Sequence, residues 1–360
     1  MKVAIVIISL SKGGAERSTA LLSKMLLSKG IEVHLITLTD AVDYEFSGTL
    51  FNIGLFKSEN DNFFNKFKHL KRLKSYLQKN NFDFIIDNRS KGSAFKEFFY
   101  LNYIYAGQRV IYVVRSFHLE NYFPKNKWIS SQMVQKASAI VGVSKAISDE
   151  INKKFNTKKA IPVYNPLPEF EAKEIAPPER PYILFLGRIE EDVKNLTLLL
   201  EGFKLSKLSQ KNIELKIYGD GKDKDWLLDK IDSLNLTSQV SVYPFTPAIY
   251  PILKNALFLT LTSRYEGFPR VLLEALSVGT PVISVNCKSG PDEIIIHEHN
   301  GLLIENFNET ALANAMNHLI FDETLYQFYK KNTIPSVTHL GQENIAKQWL
   351  NLLRDAKSNS

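Results

Sequence analysis

Sulfur chemistry is almost absent from this chain: one cysteine, Cys287, stands among 360 residues. A single thiol excludes any disulfide within the chain, as expected of a reducing cytosol. Cys287 follows the apolar run PVISV with nothing of triad type beside it, so a thiol nucleophile is not the reading. Long apolar runs are missing too, since no segment reaches the roughly 18 residues a bilayer-crossing helix needs. The N-terminal Lys2 and its apolar run end in the charged turn GGAER rather than a small-residue cleavage site, and read as a first strand instead of a signal peptide. No recognisable nucleic-acid module is present, so nucleic acid is not an expected partner.

Acid is scarce in the first half. Through Asn165 there are 25 Lys and Arg against 13 Asp and Glu, or +12; the remainder holds 20 against 25, or −5, and the two sum to the net +7. The densest basic stretch is FFNKFKHLKRLKSYLQK, where Phe63, Phe67, Leu70, Leu73 and Leu77 form one helical face and Lys66, Lys68, Lys71, Arg72 and Lys74 lie largely around the rest. Two readings stay open: a helix that buries its apolar side and exposes lysines, or one that lies on anionic lipid from Phe63 through Lys79.

What is present in quantity is a globular composition, 44% apolar and 23% charged, long enough for two domains. Strand-like runs alternate with helical ones, at 31–38, 84–87, 110–114 and 140–143, then at 213–218, 240–243, 257–261 and 281–285. That rhythm implies α/β architecture with parallel sheets covered on both faces. Between the halves Pro166, Pro168, Pro177, Pro178 and Pro181 crowd a segment that neither a helix nor a central strand accepts. The expected organisation is a domain at 1–165, a linker at 166–181 and a second domain at 182–340. Ligands of such sheets bind outside the carboxyl ends of the strands, so two facing domains make one cleft.

Three elements carry chemistry. In SRYEGFPRVLLEAL, Glu266 sits in a loop and Glu274 on the helix that follows, with Pro269 fitting the first helical position. The amides of Phe268, Arg270 and Val271 suit a phosphate there, because the helix dipole favours negative charge. Next, the run 182–186 ends in Gly187-Arg188, and IEEDVKN forms a turn before the amphipathic 196–203. Arg188 and Lys194 flank that turn as a planar fork and a mobile point charge, a sensible clamp for a diphosphate. Last, Ser11-Lys12-Gly13-Gly14-Ala15-Glu16-Arg17 turns from the first strand into a helix through Ser28. Its one glycine pair is not the dinucleotide fingerprint, and a plain tight turn competes with a ligand loop.

These elements, in this order, resemble the retaining glycosyltransferases of the GT-B fold, specifically family 4 (glycosyl transferases group 1) with its Glu-x7-Glu signature. Weaker echoes follow the same order in Val143-Ser144-Lys145, Tyr164-Asn165-Pro166 and the segment from Ile217 through Gly221. The resemblance implies two Rossmann-like doubly wound domains facing across a cleft, the first receiving the acceptor and the second the nucleotide-sugar. It implies a last helix, within 341–360, that crosses back onto the first domain. By the same resemblance Glu266 and Gly267 face the donor sugar, Glu274 holds the ribose, Arg188 and Lys194 hold the diphosphate, and Gly14 faces the donor phosphates. Many members place the Lys one residue closer to the Arg than it stands here. His118 matches a position where some relatives carry a donor-contacting His, and Arg115 competes for it. Asp87, Asn88 and Arg89 after the preceding strand are candidate acceptor contacts.

The reaction implied is transfer of a sugar from a UDP- or GDP-sugar to a hydroxyl of a glycan or lipid-linked acceptor, with retention and without a metal or other cofactor. The basic first half favours an anionic or lipid-linked acceptor at the inner membrane face, with the protein cytoplasmic or peripheral. Asp223-x-Asp225 opens a helix, where acids are favoured anyway, and is assigned no metal; His297 and His299 have the wrong spacing for a helical ligand pair. Two rivals stand beside this reading: a non-hydrolysing nucleotide-sugar epimerase on the same architecture, and a non-catalytic nucleotide-sugar binder or partner subunit.

Overall fold

Short runs of β-branched and aromatic residues, most of them buried on both faces, build two parallel sheets. The first contains β1 (Lys2–Ile7), β2 (Glu32–Thr37), β3 (Thr49–Asn52), β4 (Phe84–Asp87), β5 (Val110–Val114), β6 (Ala139–Gly142) and β7 (Ala160–Pro162). The second contains β8 (Tyr182–Leu186), β9 (Glu214–Tyr218), β10 (Val240–Tyr243), β11 (Leu259–Leu261), β12 (Val282–Val285) and β13 (Gly301–Ile304). The computed structural model describes residues 1–11, 13–58, 62–167, 169–170 and 176–358. Lys12 of the glycine turn, Pro168 and 171–175 of the proline-rich segment, and the side chain of Phe63 lie outside the described residues.

The orders are β3-β2-β1-β4-β5-β6-β7 and β10-β9-β8-β11-β12-β13, with neighbouring strands parallel throughout. Each sheet starts at an inner strand, winds outward one way and then the other, which is the doubly wound α/β topology. The order therefore reverses between β1 and β4 and between β8 and β11, and the carboxyl ends of those strands open the crevices where such sheets hold ligands. Three short strands escape the hydrophobic pattern: β3 and β13, of four residues each, and β7, an edge strand that ends on Pro162 as edges permit.

The chain separates into two compact units, Met1–Pro166 with Gln342–Ser360, and Leu167–Gly341. Helix Gln342–Ser358 packs on helix Gly14–Ser28 of the first unit by sinking Ile345, Trp349 and Leu353, and Lys357 donates to Asp83 at 2.7 Å. The second core is dense with leucine and phenylalanine: Phe185, Leu199, Leu200, Leu215, Ile217 and Phe258 have no solvent exposure. Among the described residues no helix is long and apolar enough to cross a membrane.

Helix Phe63–Asn80 is capped by Asn62, whose side chain accepts from the Asn65 amide, and ends at Asn81 in the left-handed region. Leu73 and Leu77 are fully buried, but Phe67 keeps 42% of its surface exposed, so the apolar stripe sinks fully only over the C-terminal half of the helix.

Candidate active site

The site grows from the second switch point. The strands β8 and β11 pair directly, and the loops that leave their carboxyl ends carry Arg188 and the segment from Ser263 to Pro269. The segment IEEDVKN, read as a turn, folds instead as a short helix, Glu191–Lys194, closed by Asn195 at φ 51. Acids at its start and a lysine at its end suit the helix dipole, and Asn is the residue other than glycine that tolerates the left-handed cap. The closure aims Lys194 at the neighbouring loop. Its Nζ donates to Glu266 Oε1 at 2.7 Å, and Ser263 Oγ donates to the same oxygen at 2.7 Å.

Side-chain exposures of 14% for Lys194 and 15% for Glu266 leave the pair shielded yet reachable. Lys194 has three donors and spends one on Glu266; Glu266 keeps Oε2 for another partner. The extra residue between Arg188 and Lys194 is absorbed by the helical turn, and the two loops are stitched at several points. Thr262 Oγ1 donates to the Lys194 carbonyl at 2.9 Å, and the Arg264 amide donates to Val193 O at 2.8 Å. The Arg264 guanidinium donates to Glu191 Oε1 at 2.9 Å and Asn195 Oδ1 at 3.0 Å.

Helix Arg270–Ser277 begins one residue later than its sequence suggests. Pro269, at φ −69 and ψ 103, is extended and stands just outside the helix as its cap; residues of that conformation commonly lead into a first turn. Glu274 is buried on this helix and accepts from Arg270 at 3.4 Å, one turn back. The loop after β12 supports this entry: Lys288 O accepts from the Glu266 amide at 2.8 Å, and Ser289 Oγ donates to Gly267 O at 3.0 Å. Gly290 lies at φ 97, and a Cβ there would stand 2.8 Å from Gly267 O, so only glycine lets this loop press on the backbone that carries Gly267 and Phe268.

Arg188 is different in kind, with a side chain 70% exposed and one nitrogen on Glu190 Oε1 at 3.0 Å. Its loop is held from behind by β9: a Cβ on Gly219 would fall 1.8 Å from Gly187 O, and one on Gly221 2.1 Å from Ile189 O. Those glycines let the two strand ends approach closely. Cys287 is buried near Glu266, and burial first, then the Glu266 charge, push its thiol up to about 12. It stays protonated and is no nucleophile. Asp223 accepts from the Glu191 amide at 2.8 Å and His297 from the Leu303 amide at 3.1 Å, so both do structural work. Among the described residues no three His, Cys, Asp or Glu gather as metal ligands.

In the first unit the corresponding switch point lies between β1 and β4. Gly14 opens the helix after β1 and is exposed. Asp87 and Arg89, candidates for acceptor contact, are buried instead. Arg89 donates to Asp87 at 2.8 Å and to Glu97 at 3.1 Å, while Lys91, also buried, lies 3.7 Å from Asp87. Their charges are spent on one another. Burial alone would raise the Asp87 pKa, but Arg89 and Lys91 more than offset it and hold the carboxyl below its ordinary value; burial wins at Glu97, which lies above its own. Asn88 and Arg115 stand beside this cluster: Arg115 donates to Asn165 Oδ1 at 3.1 Å and Asn88 Oδ1 at 3.3 Å. His118 is exposed in the loop after β5.

Comparison with known proteins matches two family descriptions end to end: "Glycosyltransferase Family 4" over 12–168 and "Glycosyl transferases group 1" over 168–334. The chain belongs to the GT-B glycosyltransferases of this family. One curated relative of this glycosyltransferase, from Campylobacter jejuni, is 28% identical over 98% of this chain and 99% of its own; it is named N-acetylgalactosamine-N,N'-diacetylbacillosaminyl-diphospho-undecaprenol 4-alpha-N-acetylgalactosaminyltransferase. A mutant of S. aureus TarM, crystallised with fondaparinux, alpha-GlcNAc-glycerol and UDP, matches with a TM-score of 0.81 at 17% identity over 98% of this chain and 100% of that one. Anabaena HepE in complex with UDP-glucose matches at 0.78 with 17% identity over 99% and 100%. At those identities the structures establish the fold.

The candidate site also holds residues that the sequence did not single out. Ser263, Glu191, Asn195 and Arg264 pack around the Lys194–Glu266 pair, and the available signal was the spacing of Ser263 and Arg264 just ahead of Glu266 on an apolar strand end.

Proposed function

We propose that this glycosyltransferase moves a sugar from a nucleotide diphosphate donor, UDP- or GDP-linked, to a hydroxyl of a glycan or lipid-linked acceptor in cell-surface polysaccharide synthesis, with retention and without a metal ion. The observation that carries the reading is the 2.7 Å pair of Lys194 and Glu266 at the β8/β11 switch point, beside the entry of helix Arg270–Ser277. A cation, an anion and helix amides converge where a sugar diphosphate presents a developing cation and a departing anion. The C. jejuni relative named above for a diphospho-undecaprenol acceptor supports the acceptor class, as does an S. aureus relative named poly(ribitol-phosphate) alpha-N-acetylglucosaminyltransferase.

In this reading Arg188, Lys194 and the amides of Phe268, Arg270 and Val271 take the diphosphate, so no cation other than the side chains is required. Glu266 and Gly267 orient the sugar, and Glu274 holds the ribose. By the family resemblance Gly14 is a donor-phosphate residue, His118 a catalytic residue at the donor sugar and Arg115 an acceptor contact. The bond from the anomeric carbon to the leaving phosphate oxygen breaks, the bond to the acceptor oxygen forms on the same face, and the acceptor proton passes to the leaving phosphate. The protein works at the cytoplasmic face of the membrane, held there peripherally. Thermal-shift titration with UDP-, GDP-, ADP- and CMP-sugars tests the donor, because a ligand bound only to the folded state raises stability. One diphosphate sugar should shift the melt equally with magnesium or EDTA, and NMR of the product should show the donor's anomeric configuration. An EDTA-sensitive shift, or an inverted product, overturns the metal-free retaining reading.

A further inference from the structure

Among the described residues of the first unit, the most exposed Phe and Trp side chains share one position in their helices. Phe64, Phe95 and Trp128 are 80%, 76% and 61% exposed, and each is the second residue of its helix, in Phe63–Asn80, Ala94–Phe99 and Lys127–Lys136. These helices lie on the crossovers from β3 to β4, β4 to β5 and β5 to β6. A crossover helix runs back against its parallel strands, so all three start at the carboxyl edge of the sheet. That is the edge from which Gly14, Asn88 and Arg115 also project into loops.

Ring contacts join the three helices into one surface. Phe67 lies 6.0 Å from Phe99 and 6.1 Å from Tyr103, and Phe98 lies 6.0 Å from Trp128. Phe67 and Phe98 are themselves 42% and 41% exposed. Single exposed apolar residues are ordinary, but a joined set of large ones marks a docking surface.

Charge says what docks. The three helices and the turn through Ile104 hold nine Lys and Arg (Lys66, Lys68, Lys71, Arg72, Lys74, Lys79, Lys96, Lys127 and Lys136) against one acid, Glu97, which is buried and paired with Arg89. One of these cations sits against an aromatic ring of this surface: Lys74 Nζ stands 3.8 Å from the Tyr103 ring centre. Aromatic rings set among lysines, on helices whose one acid is buried, complement a headgroup layer of negative charge over a hydrocarbon interior.

We propose that the carboxyl edge of the first sheet docks on an anionic phospholipid bilayer through Phe64, Phe67, Phe95, Phe98 and Trp128, with the neighbouring lysines on the headgroups. The inference deepens the acceptor reading above and rests on it for its purpose: docking at this edge brings a lipid-borne hydroxyl to the strand ends where the acceptor side of the site stands.

Vesicle flotation of the full chain tests it without catalysis. Vesicles of equimolar phosphatidylglycerol and phosphatidylcholine should carry the protein, and vesicles of phosphatidylcholine alone should not. Phe64→Ser/Phe95→Ser/Trp128→Ser should lower the partition by about tenfold or more, as loss of three inserting rings implies; Lys66→Glu/Lys68→Glu/Lys71→Glu should lower it by about a hundredfold. Both variants replace exposed side chains, and an unchanged thermal melt with an unchanged nucleotide-induced shift shows that the fold and donor site survive. Wild-type protein that fails to float, or a triple aromatic variant that floats as well as wild type, overturns the docking surface; equal binding to uncharged vesicles overturns the role of the lysines. A missing nucleotide shift in wild type counts against the donor reading instead, so the two failures are distinguishable.

Discussion

The two units each gather charged side chains at the carboxyl ends of their switch-point strands, and they use them in opposite ways. In the first, Asp87, Arg89, Lys91 and Glu97 close on one another, buried beneath Tyr100 and Tyr105. In the second, Lys194 and Glu266 pair at the rim, and Arg188 extends into solvent. Both clusters contain carboxylates bonded to cations at ordinary hydrogen-bond distances. What separates them is access: a buried network must be satisfied internally because desolvated charge is costly, whereas a rim pair can trade its partner for a ligand. The same residue types thus form a buried structural brace in one sheet and, in the proposed function, a binding apparatus in the other.

Mutation should separate the two most sharply at their acids. Asp87→Ala strips the main partner from buried Arg89 and Lys91 and should cost about 3–5 kcal/mol of stability by denaturant unfolding. Glu266→Ala should reverse the pattern, lowering turnover by about 10²–10³ while costing less stability than Asp87→Ala. A large stability loss in Glu266→Ala, or none in Asp87→Ala, breaks the distinction.

Smaller effects sharpen it. Arg264→Ala removes the guanidinium that ties Glu191 to Asn195 and should lower kcat by about tenfold to a hundredfold through misplacement of Lys194. Arg264→Lys should recover only part of this, since an ammonium lacks the planar fork. Arg188→Ala should weaken binding of the nucleoside diphosphate by about tenfold, read by isothermal titration, with an unchanged melt because the side chain is so exposed.

Acid should find the first unit before the site. Asp87 is held below its ordinary pKa, so its contribution to stability is full above about pH 4 and is lost as pH falls through its lower folded value. Glu97, raised by burial, runs the other way: it favours the fold as it takes up its proton at higher pH. The melting temperature should therefore resist mild acidification and drop only below about pH 4, a dependence that Asp87→Asn should flatten.

Much of the second sheet and its site was legible because local pattern and chemistry agree there. Strands β8 and β10 and helix Gln342–Ser358 follow runs whose apolar spacing admits one reading, and Glu266 and Glu274 fall on loop and helix as the spacing requires. The helix start slipped by one residue because proline serves both as first helical residue and as cap. The segment IEEDVKN gave no helical period, being a single turn whose register is set by Asn195 and by hydrogen bonds from a loop some seventy residues away. Strands β3, β7 and β13 were missed although equally short strands such as β4 and β10 were read, because each lies at a sheet edge and its sequence, TLFN, AIP or GLLI, holds no more than one β-branched residue. Asp87 and Arg89 misled because a charged pair after a strand looks the same in sequence whether it faces a ligand or a buried partner.

By itself, then, the sequence determined the alternation of elements, the basic character of the first half and the identity of the acids and cations that chemistry needs. The first two follow from residue type and short-range spacing, which a linear chain states outright, and the third is the set of residues on which the proposed chemistry rests. Only the tertiary structure decided which charges touch solvent, that Lys194 reaches Glu266, and that the leading rings of three separate helices share one edge. Those are consequences of burial and of contacts between residues far apart in the chain, and burial is what sets the worth of a charge or an exposed ring.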